Sequence, residues 1–591
     1  MKKFWIVFAV VAVLVGGGLG AVWLLVHSLE ESVSVDGGVL VWDLGGSFPE
    51  ERDDSFWGQM QGGGDLTLAE TVLALERAAR DERITALVMD LQGVDADWAK
   101  VEELAGAVAD FRASGKPVVA YLDGADTRDY VLAAQAEQVM MSPEATLMVL
   151  GVTAQLDFMK DTLDKLGMQA DFIHVGKYKS APERMTRSEA SAANREMIEA
   201  IVDDRWAALL DQLAAARGRG RDEVAAWIGQ GMFDAPSALA AGVVDTLGYW
   251  EDLLEQRFAD QDVTDFADYC LDRPRGGGRG RPTVGLVYLT GVIMPGESRF
   301  DRFQGKIAGS ETVVDHLAGM AEDDGIEAVI LRVDSPGGSV LASDLIWRQI
   351  RRLQERKPVI VSMSGMAASG GYYVACPGDS IFADPATLTG SIGVYAGKMD
   401  RSAMYRKIGV NREFVTRGEN ALLFSDAGGF SAGQRALFTA QMQEFYERFL
   451  QKVGEGRKLE REAVHAVAQG RVWTGRQALD HGLVDGLGGL SRALDSARWT
   501  LGLERDDRIT LVSRGKELSL LERILLQSLR DNAGVRAAVA AVTDGWAGPL
   551  AGAGLPVPTL LATLRENGTL ARVALMDGRP VAMAPFWLTV Q

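Results

Sequence analysis

The chain has 591 residues, 47% of them hydrophobic and 24% charged, with a formal net charge of −20. That much negative charge excludes nucleic acid as a partner, because phosphate recognition needs a basic stripe. Two cysteines, Cys270 and Cys376, cannot make a disulfide framework, and neither lies in a CxxC or Cys/His spacing suited to a metal; no metal and no cofactor is expected.

In chain order, the first feature is an apolar run. "MKK" precedes residues 4–26, which carry no charged side chain. At 1.5 Å per helical residue the run spans roughly 34 Å, enough for a bilayer core. It continues through "AVWLLV" with Trp23 at an interfacial position, which favours an uncleaved anchor over a removed signal peptide. Lys2 and Lys3 then stay inside, and everything after "HSLEES" is exported, in a bacterium to the periplasmic face. Residues 1–27 are thus expected to be a cytoplasmic stub and one transmembrane helix, touching membrane lipid.

The exported part is written twice. "ITALVMDLQGV" at 84–94 echoes "IEAVILRVDSPGG" at 326–338, and "SGKPVVAYLDG" at 114–124 echoes "ERKPVIVSMSG" at 355–365. "SPEATLMVLGV" (142–152), "LGMQADFIHVGKY" (166–178) and "IGQGMFDAPSALAAGVVDTLG" (228–248) return as "ADPATLTGSIGV", "IGVNREFVTRGEN" and "VAQGRVWTGRQALDHGLVDGLG". The shift stays near 240 residues, so two homologous domains follow one another. Their bounds are 37–270 and 283–500. The linker is 271–282, which holds the Gly/Arg/Pro stretch "RPRGGGRGRP".

In the second copy "VGLVYLTGVI", "AVILRVDS", "PVIVSMSG" and "SIFADP" read as strands; "ASDLIWRQIRRLQER", "ASGGYYVACP" and "GQRALFTAQMQEFYERFLQKVGE" read as helices. The alternation predicts α/β domains built on mostly parallel, buried sheets. Residues 501–591 lie outside the repeat and offer an amphipathic segment, "LSLLERILLQSL", and a turn at Asp577–Gly578.

The chemistry is read by setting one copy against the other. Where the second has "GMAASGGYYVA", the first has "GADTRDYVLAA", so Ser369 falls opposite Thr127 or Arg128 and its following glycines opposite Asp129 and neighbours. "DSPGGS" (334–339) has only "LQGVDA" as counterpart. A purely structural turn would be needed in both copies, so Ser369 is a candidate nucleophile. A serine hydroxyl needs a base. The five histidines, His27, His174, His316, His465 and His481, form no recognisable triad, and there is no GxSxG elbow. Lysine is the other known base. Lys179, in "HVGKYKSAPERMTR", falls opposite Ala421. Spacing alone leaves Lys179 open to a second reading, a solvated loop charge.

"GMAASGGYYVA", "VDSPGGSV", "ADPATLTGSIGV" and "VGKYKSAPE" together resemble the signal peptide peptidase A family in its long, duplicated, membrane-anchored form. The resemblance covers residues 37–500. It implies a Clp-protease/crotonase-like fold and a Ser/Lys dyad shared between the domains, with Ser369 as nucleophile, Lys179 as general base and Ser391 of "TGSIG" orienting the lysine. It also implies signal peptides and other apolar peptides as substrates, and a homotetramer.

A lysine acts as base only when neutral, so Lys179 should be buried, away from carboxylates and among hydroxyls. The oxyanion of acyl transfer needs backbone donors; Gly370, after the serine, and Gly337 or Gly338, atop a strand, are the candidates. A crotonase-type acyl-CoA enzyme would use the same glycine loops without Ser369, and a non-catalytic membrane scaffold would keep only the fold.

Overall fold

The computed structural model describes residues 37–52, 66–272, 281–301, 304–513 and 581–583. The apolar run at 4–26, most of the linker, the segment at 518–529 and the Asp577–Gly578 turn lie outside them. Among the described residues no helix is long and apolar enough to cross a membrane.

In the first copy the strands Gly38–Ser47, Ile84–Asp95, Val118–Leu122 and Gln138–Met141 lie side by side in chain order, all parallel. Parallel neighbours need crossovers, and helices Leu68–Arg80, Trp98–Ala113 and Thr127–Ala133 supply them. The helix starts are written in the sequence. Thr67 and Glu70 form a capping box at the first, and Asp97 caps the second through Lys100 N. Both faces of the sheet are covered, so Val118–Leu122 is buried at every position and carries no polar alternation.

The second copy repeats the scheme with Thr283–Thr290, Ala328–Ser335 and Val359–Ala368. The last strand has two partners, Ser380–Ala383 along its first half and Leu388–Gly390 along its second. Between them the ladder with Ala328–Ser335 slips: Val333 faces Met363, yet Ser335 faces Ala367. This bulge re-aims the end of the strand, immediately before Ser369. The sheet also runs past residue 500, because Thr510–Ser513 pairs in parallel with Thr283–Thr290.

One sequence expectation needs correction. "VGLVYLTGVI" is not one strand. It breaks at Gly291, whose φ is 93° and where a Cβ would stand 2.0 Å from Lys306 O. Val292–Met294 then joins a separate sheet that also holds Gly305–Gly309, Gly337–Ser339, Val581–Met583, Val394–Asp400 and Gln169–Val175. The two copies are joined in that sheet: Gln169–Val175 comes from the first copy and pairs antiparallel with Val394–Asp400 of the second along its whole length. The sequence equivalent of Gln169–Val175, residues 411–417, forms no strand.

Each copy has its own hydrophobic core, and a smaller cluster joins them, with Ala69 and Leu73 of the first against Val284, Ile330, Leu490 and Leu494 of the second. Beside it Arg332, fully buried, donates to Glu50 and Glu103 of the first copy and to Ser362 Oγ. An ion pair this enclosed gains little net stability but strongly disfavours misalignment, since either partner alone would be a buried charge.

Candidate active site

Ser369 stands between the Val359–Ala368 strand and the helix Gly370–Ala375, fully buried, with φ 57° and ψ −113°. A non-glycine residue there costs on the order of 1–3 kcal/mol and persists only where its surroundings impose it. Ser369 N donates to Gly390 O at 2.8 Å, and Tyr373 N donates to Ser369 O at 2.8 Å. Gly371 allows the helix to press on the neighbouring strand, since a Cβ there would lie 2.8 Å from Ser335 O.

Lys179 arrives from the first copy, on the loop after Gln169–Val175. Its Nζ is 2.7 Å from Ser369 Oγ, 2.9 Å from Ser391 Oγ and 3.0 Å from Ser391 O. The side chain is completely buried, and burial alone holds its pKa well below the ordinary lysine value, with no carboxylate among the described residues entering to restore it. The structure thus brings Ser369, Lys179 and Ser391 together across 190 and 212 residues of chain. His174 is exposed, with Nδ1 3.3 Å from Gly176 O.

Gly337 N–H donates to Ser335 Oγ at 3.1 Å, so it is already engaged. Gly338 lies against Ile293, where a Cβ would meet the carbonyl oxygen at 2.0 Å. Gly370 opens a helix whose first residues receive no side-chain cap.

The first copy fills the equivalent positions differently. Tyr130 and Tyr372 make the same bond, hydroxyl to the carbonyls of Val243 and Leu483, and this equivalence sets Ser369 opposite Thr127 and Gly370 opposite Arg128. Thr127 Oγ1 is tied to the Leu150 backbone, accepting at 2.7 Å and donating at 3.2 Å. The carboxylate of Asp126 takes the N–H groups of Arg128 and Asp129. The amide that is uncapped in the second copy is therefore filled by an anion in the first.

One participant escaped the reading of the sequence. Gly470, φ 80°, sits where a Cβ would be 2.6 Å from the Lys179 backbone, and Gln469 O accepts from Tyr178 N at 2.8 Å. This contact docks the lysine loop onto the second copy. "AQG" has its echo in "GQG" of the first copy, so comparing the copies could not mark it.

The profile of Peptidase family S49 matches residues 110–264 and again 351–504, and a Clp protease profile matches 304–386. The chloroplastic serine protease SPPA of Arabidopsis thaliana is 32% identical over 502 residues, covering 83% of this chain and 73% of the relative. Protease 4 of Salmonella typhi is 30% identical over 540 residues, 85% of each chain, and Protease 4 of Haemophilus influenzae is 29% identical over 502 residues, 80% of each.

Proposed function

The chain belongs to peptidase family S49 and is a serine peptidase, and from that premise we propose that it cleaves signal peptides and other apolar peptides with a Ser369/Lys179 dyad. One observation carries the reading: a buried lysine amine 2.7 Å from a serine hydroxyl, with a second hydroxyl and a carbonyl as its remaining partners. Neutral Lys179 takes the proton of Ser369 as Oγ attacks the peptide carbonyl. It returns that proton to the leaving amine, and water then resolves the acyl-enzyme. Ser391 holds the amine in line. Gly370 N–H and Gly338 N–H are the oxyanion donors, Gly337 being committed to Ser335.

An extended peptide suits this site. The chain's own Val581–Met583 forms a strand antiparallel to Gly337–Ser339 and reaches Tyr395 of the neighbouring strand. A substrate can take this edge in place of Val581–Met583, through backbone bonds that tolerate many side chains. With residues 4–26 as anchor, the catalytic domains stand on the periplasmic side of the inner membrane, where cleaved signal peptides are released. Incubating the purified full chain with a synthetic signal peptide should give fragments by mass spectrometry, cut within the apolar segment. A peptide left whole would overturn the substrate assignment.

A specific feature favours self-assembly. Gln169–Val175 pairs with Val394–Asp400 inside the chain. The repeat equivalents of these two strands are 411–417 and 152–158, and neither has a strand partner among the described residues. Phe172 packs on Tyr395, whereas its counterpart Phe414 is 45% exposed and Val415 beside it 87% exposed. Residues 411–417 of one copy fit 152–158 of the next by the pairing already made internally. Such head-to-tail contacts close into a ring when the rotation between copies closes, and four copies is the number the sequence resemblance implies. Phe414→Asp should convert the assembly to single chains by light scattering; an unchanged mass would refute this edge.

A further inference from the structure

Asp334 lies at the end of the Ala328–Ser335 strand, a position where the first copy has Gln92. Its Oδ1 accepts from Met366 N at 3.1 Å, inside the bulge that precedes Ser369. Its backbone carbonyl accepts from Gly291 N at 2.8 Å. The next residue, Ser335, donates to Gly291 O at 2.6 Å and accepts from Gly337 N at 3.1 Å. Asp334 therefore holds the strand leading to Ser369 directly, and Ser335, the next residue along its strand, holds the strand carrying Gly337 and Gly338.

Its other oxygen faces the first copy. Lys100 Nζ, on the first turn of helix Trp98–Ala113, lies 3.4 Å from Asp334 Oδ2. The same ammonium is 3.6 Å from Glu50 and 3.8 Å from Asp97. Gly365 on the Val359–Ala368 strand leaves room for this approach, since a Cβ there would meet Asp97 Oδ2 at 2.5 Å. The charged groups around Asp334 are thus Lys100 and Asp97 from the helix, Glu50 from the turn after Gly38–Ser47, and Arg332 on its own strand. The Val359–Ala368 strand offers a backbone N–H and no titratable side chain.

We propose that Lys100 and Asp334 are positioning residues for peptide hydrolysis, an ion pair across the two copies that fixes the bulge before Ser369 and the adjoining glycine strand in working register. The proposal rests on Ser369 being the nucleophile. Neither side chain touches substrate; both act through the backbone they hold. Breaking the pair leaves the chain folded on its two cores but lets the serine and its amide donors drift, and misplacement of reacting groups by even about 1 Å costs up to about a hundred-fold in rate. The pair also responds to pH. Burial, with Asp97 and Glu50 nearby, raises the Asp334 carboxyl to about 6 against the pull of Lys100 and Arg332. Protonation as pH falls through that value discharges the contact, so Asp334 adds one proton to the acid limb of activity.

The test uses the full-length protein with Lys100→Met, Lys100→Arg, Asp334→Asn and the Lys100→Met/Asp334→Asn double variant, each checked by thermal melting. Lys100→Met and Asp334→Asn should each lower kcat about ten-fold or more with KM changed less than about two-fold. The double variant should be no worse than the poorer single one, and Lys100→Arg should recover most of the rate. The acid limb of Asp334→Asn should carry one proton fewer than that of the wild type. Asp334→Asn is isosteric, so it decides the matter if Lys100→Met does not fold. Wild-type kcat in folded Asp334→Asn, losses that multiply in the double variant, or an unchanged acid limb would each overturn the role. Ser369→Ala run alongside separates the two layers: inactive Ser369→Ala beside fully active Asp334→Asn removes the positioning role alone, whereas active Ser369→Ala removes the nucleophile and this proposal with it.

Discussion

Ser369→Ala should yield a folded protein whose kcat is lower by about three orders of magnitude or more, because the covalent route disappears with Oγ. Folding should be little changed. The backbone at φ 57° is as strained for alanine as for serine, and its bonds from Tyr373 N and to Gly390 O do not involve the side chain. Lys179 loses one partner but keeps Ser391 Oγ and Ser391 O. The loss of one hydrogen bond by a neutral amine is worth about 1 kcal/mol. Peptide hydrolysis with a fluorogenic substrate, read against thermal melting, checks both halves. Retention of more than a few per cent of wild-type kcat by a folded variant would remove Ser369 from the mechanism.

Replacing the lysine has an equally large expected effect, and the structure dictates which replacement is informative. Arginine cannot deprotonate at accessible pH, so Lys179→Arg cannot act as base. Yet the Lys179 site is completely buried and offers no carboxylate among the described residues, and a permanent cation there costs on the order of several kcal/mol. Lys179→Met matches the length without the charge and should fold normally. Both variants should lose about three orders of magnitude in kcat. A Lys179→Met enzyme of near-normal activity would return the lysine to a packing role and leave Ser369 in want of another base, His174 being the first to examine.

The pH dependence has a definite sign. Burial lowers the Lys179 pKa, so the neutral base appears as pH rises through that lowered value and kcat/KM climbs with it, far below the ordinary lysine range. Stability moves the same way. Between the lowered native value and the unfolded one near 10.4 the unfolded chain binds more protons, so the native state gains stability with rising pH across that window. A kcat/KM profile that climbs only near 10 would mean a solvated amine.

The two copies settle how much the sequence alone determined. Alternating strand and helix signals reflect local periodicity, and a duplicated pattern can be read without coordinates. Ser369 and Lys179 stood out because each is present in one copy and missing from the other, a contrast that needs no geometry. The same comparison would have marked Asp334 and Arg332, which stand opposite Gln92 and Asp90, but polar residues in a strand invite no chemistry until their partners are seen. What the tertiary structure decided is adjacency and burial. Lys179 and Ser369 are 190 residues apart, and their contact exists because the strand before the lysine joins the other copy's sheet and Gly470 admits its loop. The split of "VGLVYLTGVI" at Gly291 depends on the approach of Lys306, a long-range contact with no local signature. The lysine's proton affinity is likewise a property of its surroundings. A lysine in a sequence is a cation; enclosure among hydroxyls and a carbonyl, with no carboxylate beside it among the described residues, lowers its proton affinity, because desolvation penalises the charged form.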